Sequence, residues 1–190
     1  MFTNLKFSHR RRKPRLPQKN RDRRGVIKHA TSIEMRPTGA NNRSRLGHWE
    51  RDTMFGKDKL NSVLLLVDRK ARYVKLGKLS RRTASLTLAK TRELLFRLPK
   101  RTLTNDRGKE FTDYEQLTKQ LGVPVYFCHP YQSPDRWTAE SRIGIIRQYL
   151  PKGSDLKYIK HKSLKVIEWK INNRPMLFFE ESGSRLNERV

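Results

Sequence analysis

This sequence predicts an α/β fold, a five-stranded mixed sheet flanked by helices, and three observations carry that prediction. Three short segments of strand-like apolar pattern follow one another between residues 49 and 79 with only brief polar connections, as in an antiparallel meander. From Thr83 the apolar positions shift to helical spacing, and a strand after a helical crossover runs parallel to its neighbour. Beyond that point short apolar runs and helical patterns alternate, divided by Pro99, Gly122, Pro134 and Gly153.

The elements follow in order. Residues 49–54, 62–68 and 73–79 are the first three strands, joined through Gly56-Lys57-Asp58 and Arg69-Lys70-Ala71. Residues 83–97 form a helix with Leu86, Ala89, Leu94 and Leu95 near helical spacing, stopped before Pro99. Thr102-Leu103-Thr104 is a short buried strand that delivers Asp106 at its tip. Residues 111–121 are helical, with Phe111, Tyr114, Leu117 and Leu121 on one face, and Gly122 closes them before a fifth strand at 123–127. After the loop His129-Pro130-Tyr131-Gln132-Ser133-Pro134, Thr138 caps a helix reaching Tyr149 with Ile143, Ile146 and Leu150 inward. Pro151-Lys152-Gly153 breaks it, and a last helix over 163–172 offers Leu164, Ile167 and Ile171 to the core.

Composition narrows the partners. Lys and Arg number 44 against 18 acidic residues, a formal charge of +26, and so much like charge strains a compact state unless a polyanion neutralises it. Nucleic acid is the natural candidate. No basic amphipathic helix of strong moment or lipidation signal favours a membrane surface, and the longest wholly apolar run, Val63 to Val67, is far short of a span. The expected location is intracellular. The single cysteine, Cys128, excludes an internal disulfide. Residues 1–47 hold 14 Lys or Arg against Asp22 and Glu34 and read as a basic, largely extended arm, in which Arg10, Arg11, Arg12 and Lys13 would neutralise phosphates without reading sequence. A core over 48–179 and a tail over 180–190 complete the expected organisation.

A chain with 18 carboxylates always offers some triad, so context must choose among them. The order β-β-β-α-β-α-β-α puts Asp52 on the first strand, Asp106 at the end of the adjacent fourth, and Glu140, with 33 residues after Asp106 intervening, on a helix beside them. Three hard oxygen donors of this kind suit Mg²⁺ or Mn²⁺ rather than Zn²⁺. Glu50 and Glu110 lie close enough in sequence to support them from behind. Arg136, Arg142, Arg147 and Lys152 lie along the Glu140 segment and are expected to track DNA phosphates.

That element order is the architecture of a ribonuclease-H-like fold, and five ordered motifs sharpen it. They are Gly47-His48-Trp49-Glu50-Arg51-Asp52, Leu103-Thr104-Asn105-Asp106-Arg107-Gly108-Lys109-Glu110, Gly122 to Phe127, Arg147 to Leu156 and Asn172-Asn173-Arg174-Pro175. Together they make residues 47–175 resemble the catalytic core of bacterial insertion-sequence transposases of the insertion-sequence-thirty family, in the Asp-Asp-Glu transposase and retroviral-integrase superfamily. Arg51 stands where the family pattern has Gly; Trp137 also replaces a Gly, and Ala139 and Ser141 replace the two Asn that flank the Glu. Nothing before residue 48 has the apolar periodicity of the family's helix-turn-helix region, and the sequence after Pro175 leaves the usual basic continuation, as in a truncated or diverged copy.

The resemblance implies a DNA transposase or integrase core that binds two metal ions, Mg²⁺ or Mn²⁺. Asp52 would bridge the two, with Asp106 and Glu140 each holding one. The implied reaction is hydrolysis at the ends of a DNA element followed by strand transfer into target DNA, by a homo-oligomer assembled on double-stranded DNA. The altered neighbours of Glu140 keep a second reading open, a catalytically inactive DNA-binding remnant. An RNA-binding scaffold is favoured by charge alone and does not require the three carboxylates.

Overall fold

The computed structural model describes residues 27, 29–129 and 137–174. Its core is a mixed sheet of five strands in the order β3-β2-β1-β4-β5. The strands are β1 (His48–Phe55), β2 (Ser62–Asp68), β3 (Val74–Leu79), β4 (Thr102–Asn105) and β5 (Val125–Phe127). β1, β2 and β3 pair antiparallel, whereas β1–β4 and β4–β5 are parallel, so the crossovers after β3 and β4 do what their helical patterns predict.

Side chains alternate across a sheet, and here both faces are covered. One face presents Trp49, Leu64, Leu66 and Leu103 to α2 (Ala84–Leu95) and α3 (Tyr114–Leu121), with Phe111 and Phe127 in the same cluster. The other presents Met54, Val63, Leu65 and Val67 to α4 (Trp137–Ile146) and α5 (His161–Asn172), which contribute Ile146, Leu164, Ile167 and Ile171. Coverage on both sides is why β2 reads as a continuous apolar run and is buried along its whole length.

The helices depart from expectation in instructive places. In α2 the buried stripe is Thr87, Leu88, Thr91, Leu94 and Leu95, and Leu86 is exposed. Thr87 and Thr91 tolerate burial because each hydroxyl donates to the carbonyl four residues back, at 2.8 and 2.6 Å. The 111–121 helix is divided into a 3-10 turn, Lys109–Phe111, and α3, which ends at Gly122 with φ of +67°, a left-handed conformation that glycine adopts without strain. α4 begins at Trp137, so Thr138 lies inside its first turn and is not its cap.

The arm expected over residues 1–47 is packed in its later part. Residues 1–26 and 28, which include Arg10, Arg11, Arg12 and Lys13, lie outside the described residues, as does the tail over 180–190. From residue 29 the chain forms a 3-10 turn, Ile33–Met35, and one helical turn, α1 (Thr38–Asn41), with Ile33, Arg36 and Ala40 buried. Polar anchors hold it: Arg36 Nη1 donates to Thr104 Oγ1 at 3.2 Å, Arg69 Nε donates to the Ala40 carbonyl at 2.8 Å, and Ser32 bridges Phe127 at the β5 edge. A polar segment with three inward residues shows no apolar periodicity, which is why composition reads it as extended.

Candidate active site

β1 and β4 pair in parallel with Arg51 opposite Asn105, so the next residues of the two strands are Asp52 and Asp106. Alternation puts both carboxylates on the sheet face that α4 covers, the face of Met54 and Thr104. Asp52 is buried and its Oδ1 accepts the Thr53 N–H at 2.7 Å. Asp106 is half-buried; its Oδ1 accepts the Gly108 N–H at 3.0 Å, which shapes the turn leaving β4.

Glu140 lies in the first turn of α4, which packs on β1 and β2, and is half-buried. Glu50 fixes that turn. Its Oε2 accepts the Ala139 N–H at 2.7 Å, satisfying one of the amides a helix start leaves without an intrahelical partner. Its Oε1 is paired with Arg69, and both residues are buried. The Glu50–Arg69–Ala40 chain therefore ties β1, the β2–β3 turn, the folded end of the arm and the helix bearing Glu140 into one unit.

Glu110 acts from the opposite face. Its Oε1 accepts the Thr53 hydroxyl at 2.8 Å and its Oε2 lies 3.7 Å from Arg82 Nε. The carboxylate also lies against Gly108, where a Cβ would come within 2.6 Å of Oε2, so the Gly-x-Glu spacing has a steric cause. Thr53 follows Asp52 directly, and Glu110 thus supports the Asp52 strand from behind.

The basic residues differ in setting. Arg142 belongs to the inward stripe with Ala139 and Ile146, spaced three and four residues apart, and is 5% exposed, so it does not line a solvent-facing surface beside Glu140. Burial, with Arg72 and Arg174 adding to it, lowers its pKa. Arg147 is half-buried and donates to the carbonyls of Leu150 and Phe55 at 3.4 Å each, while Lys152 is exposed. Arg136 lies outside the described residues.

Two residues that sequence reasoning did not single out hold the site together. Arg69 has no motif signal beyond its place after Asp68. Asn105, within the second motif, has its Oδ1 taken by Arg51 Nε at 2.9 Å. Among the described residues no group of three or more Asp, Glu, His or Cys side chains is gathered closely enough to hold a metal ion. Carboxylate oxygens are nevertheless hard donors of the kind Mg²⁺ and Mn²⁺ prefer.

Comparison with known proteins agrees with the fold and the motifs. Residues 42–133 match the integrase core domain family. The chain is 40% identical over 169 residues to the transposase for insertion sequence element IS1086 of Cupriavidus metallidurans, covering 86% of this chain and 50% of that protein. It is 38% identical over 158 residues to the transposase InsI for IS30A of Escherichia coli, covering 80% of this chain and 41% of that one. The chain thus spans about half the length of these relatives or less. Among solved structures, a chain of the simian T-cell lymphotropic virus intasome in complex with PP2A regulatory subunit B56 gamma superposes with a TM-score of 0.58 at 15% identity, over 75% of this chain and 58% of that one. The catalytic core domain of BIV integrase gives 0.52 at 17% identity, over 70% and 86%. At such identities the structural likeness establishes the ribonuclease-H-like fold, and the sequence relationship adds that residues 42–133 match the integrase core domain and that most of the chain is similar to insertion-sequence transposases.

Proposed function

We propose that this domain performs metal-dependent cleavage and strand transfer of DNA in transposition, with Asp52, Asp106 and Glu140 as the carboxylates at which the reaction occurs. The observation that carries the reading is the β1–β4 register, in which Asp52 and Asp106 follow the Arg51–Asn105 pair on the face that α4 covers. When bound, Mg²⁺ or Mn²⁺ would supply activation of the attacking oxygen and charge neutralisation at the leaving oxygen. The chain's own contribution is geometry. Asp52 and Asp106 are set by the sheet, and Glu140 by the hold of Glu50 on the first turn of α4. Arg147 and Lys152 continue along the same segment with the charge to engage phosphates of double-stranded DNA, as do Arg10 to Lys13 and Arg136 in the sequence. Action as a homo-oligomer on paired DNA ends belongs to the same reading.

The test is incubation of the purified chain with supercoiled plasmid and Mn²⁺ or Mg²⁺, wild type beside Asp106→Asn. Metal-dependent nicking or joining present in the first and lost in the second is the expected result. A second reading, a DNA-binding remnant without catalysis, is favoured by the lack of a gathered metal-holding cluster among the described residues and by Trp137, Ala139 and Ser141 around Glu140. Equal background cleavage by both proteins with duplex binding retained would select it.

A further inference from the structure

On the sheet face opposite Asp52 and Asp106 lies a cation with no ion-pair partner among the described residues. Arg51 is 2% exposed, and the groups it touches are neutral. Its Nε donates to Asn105 Oδ1 and its Nη1 to Thr91 Oγ1, each at 2.9 Å, and the guanidinium lies 4.4 Å from the Phe111 ring centroid. Burial lowers its pKa from the ordinary arginine value to about 9, against the opposing pull of Asp106 and Glu110. A buried charge without an ion pair opposes folding, so its contribution must be sought in what its fork connects.

It connects the two strands at the step before the carboxylates. Arg51 and Asn105 are register partners, and Asp52 and Asp106 follow them. β4 is only four residues long, and the Asn105 side chain has no other anchor, its Nδ2 being buried without a hydrogen bond. Through Thr91 the same guanidinium ties this step to α2. We infer that Arg51 is a positioning residue for the candidate metal site, holding β4 against β1 from the reverse face so that the Asp106 carboxylate keeps its place beside Asp52. The inference rests on the assignment of those two carboxylates as metal-holding groups.

Mn²⁺ binding to the folded protein, followed by electron paramagnetic resonance well below the melting temperature, tests it without reference to catalysis. Asp106→Asn serves as the control, and Arg51→Met, Arg51→Lys, Asn105→Ala and the double variant Arg51→Met with Asn105→Ala are compared. Loss of such a supporting hydrogen bond should raise the Mn²⁺ dissociation constant about 10–100-fold in Arg51→Met. Asn105→Ala should do the same, and the double variant should be no weaker than either single one, because the two residues act as a unit. Arg51→Lys, which keeps the charge and loses the planar fork, should fall between, and it retains the test if Arg51→Met does not fold. Wild-type affinity in a folded Arg51 variant would overturn the inference and leave Arg51 a packing residue. Tighter binding would overturn it too, showing that the guanidinium acts only as a repelling charge. If Asp106→Asn leaves Mn²⁺ binding unchanged, the metal-site assignment itself fails, and the role given to Arg51 falls with it.

Discussion

The two faces of β1 treat charge in different ways. Toward α4 and the folded part of the arm the strand presents His48, Glu50 and Asp52, and toward α2 it presents Trp49, Arg51 and Thr53. On the first face the buried carboxylate of Glu50 meets a cation and a helix amide, so its charge is compensated. On the second, Arg51 is met by an amide oxygen, a hydroxyl and a ring. A functional face needs acidic groups held with some freedom of access, and the rigidity that holds them comes from behind and beside them. Among the described residues, the side chains that fix this site are mostly not the ones proposed to act in it.

Glu50→Ala should break that arrangement most. It leaves Arg69 buried without its carboxylate and frees the first turn of α4, and removing one partner of a buried pair costs on the order of 3–5 kcal/mol. Urea unfolding monitored by circular dichroism reads the loss, and amide exchange should rise first in α4. Substitution of Glu50 that leaves α4 as protected as in wild type would mean that helix packing alone places Glu140.

Much of this is legible in the sequence, for identifiable reasons. β2 is predicted with its observed bounds because the uninterrupted apolar run Val63 to Val67, bracketed by Ser62 and Asp68, has few alternatives. The placement of Asp52 on β1 and of Asp106 just past the end of a parallel β4 agrees with the element order, since a strand reached by a helical crossover runs parallel to its neighbour. Less legible are contacts made by polar groups across long separations. Arg36 to Thr104, Arg69 to Glu50 and Arg51 to Thr91 have no periodicity to betray them. For the same reason Leu86 is expected inside α2 where Thr91 is, and Arg142 is expected on a phosphate-facing surface although the inward stripe of α4 includes it.

Gly108→Ala tests the other face with a smaller effect. The added methyl would collide with the Glu110 carboxylate, which is buried and bonded to Thr53, so the carboxylate must move and that bond is lost. A destabilisation of about 1–3 kcal/mol is expected, the range for overpacking. Combined with Thr53→Val, whose bond is already absent, the cost should be partly shared; full additivity would show that the clash is relieved without moving Glu110.

The pH response should separate the faces further. His48 has its pKa lowered, first by burial and then by Arg101, with Asp68 opposing, so the folded state takes up its proton less readily than the unfolded chain. Where the unfolded state binds more protons, stability rises with pH, so this group's contribution is retained above the ordinary histidine value of 6.5 and is lost as pH falls below it. Chemical unfolding between about pH 8 and 5 should show stability declining through the lower half of that interval, and His48→Gln should flatten the decline. An equal slope in the variant would assign the pH response to other groups.

The smallest expected effect comes from an acid–base pair of the same chemistry as Glu50–Arg69 in the opposite setting. On the solvent side of α2, Lys90 Nζ lies 2.5 Å from Glu93 Oε2, with Glu93 more than half exposed. Water and salt screen such a pair, and its coupling in a double-mutant cycle should be about 0.2–0.5 kcal/mol. The cycle is needed because Lys90 also packs against the sheet. Its stem covers Gly77 on β3, where a Cβ would come within 2.6 Å of Cγ, so Lys90→Ala loses packing as well as charge. A coupling as large as that of the buried pair would mean that burial is not what distinguishes them. A small one would locate the strength of Glu50 in its enclosure by Arg69 and the Ala139 amide, and so in the same contacts that set the first turn of α4.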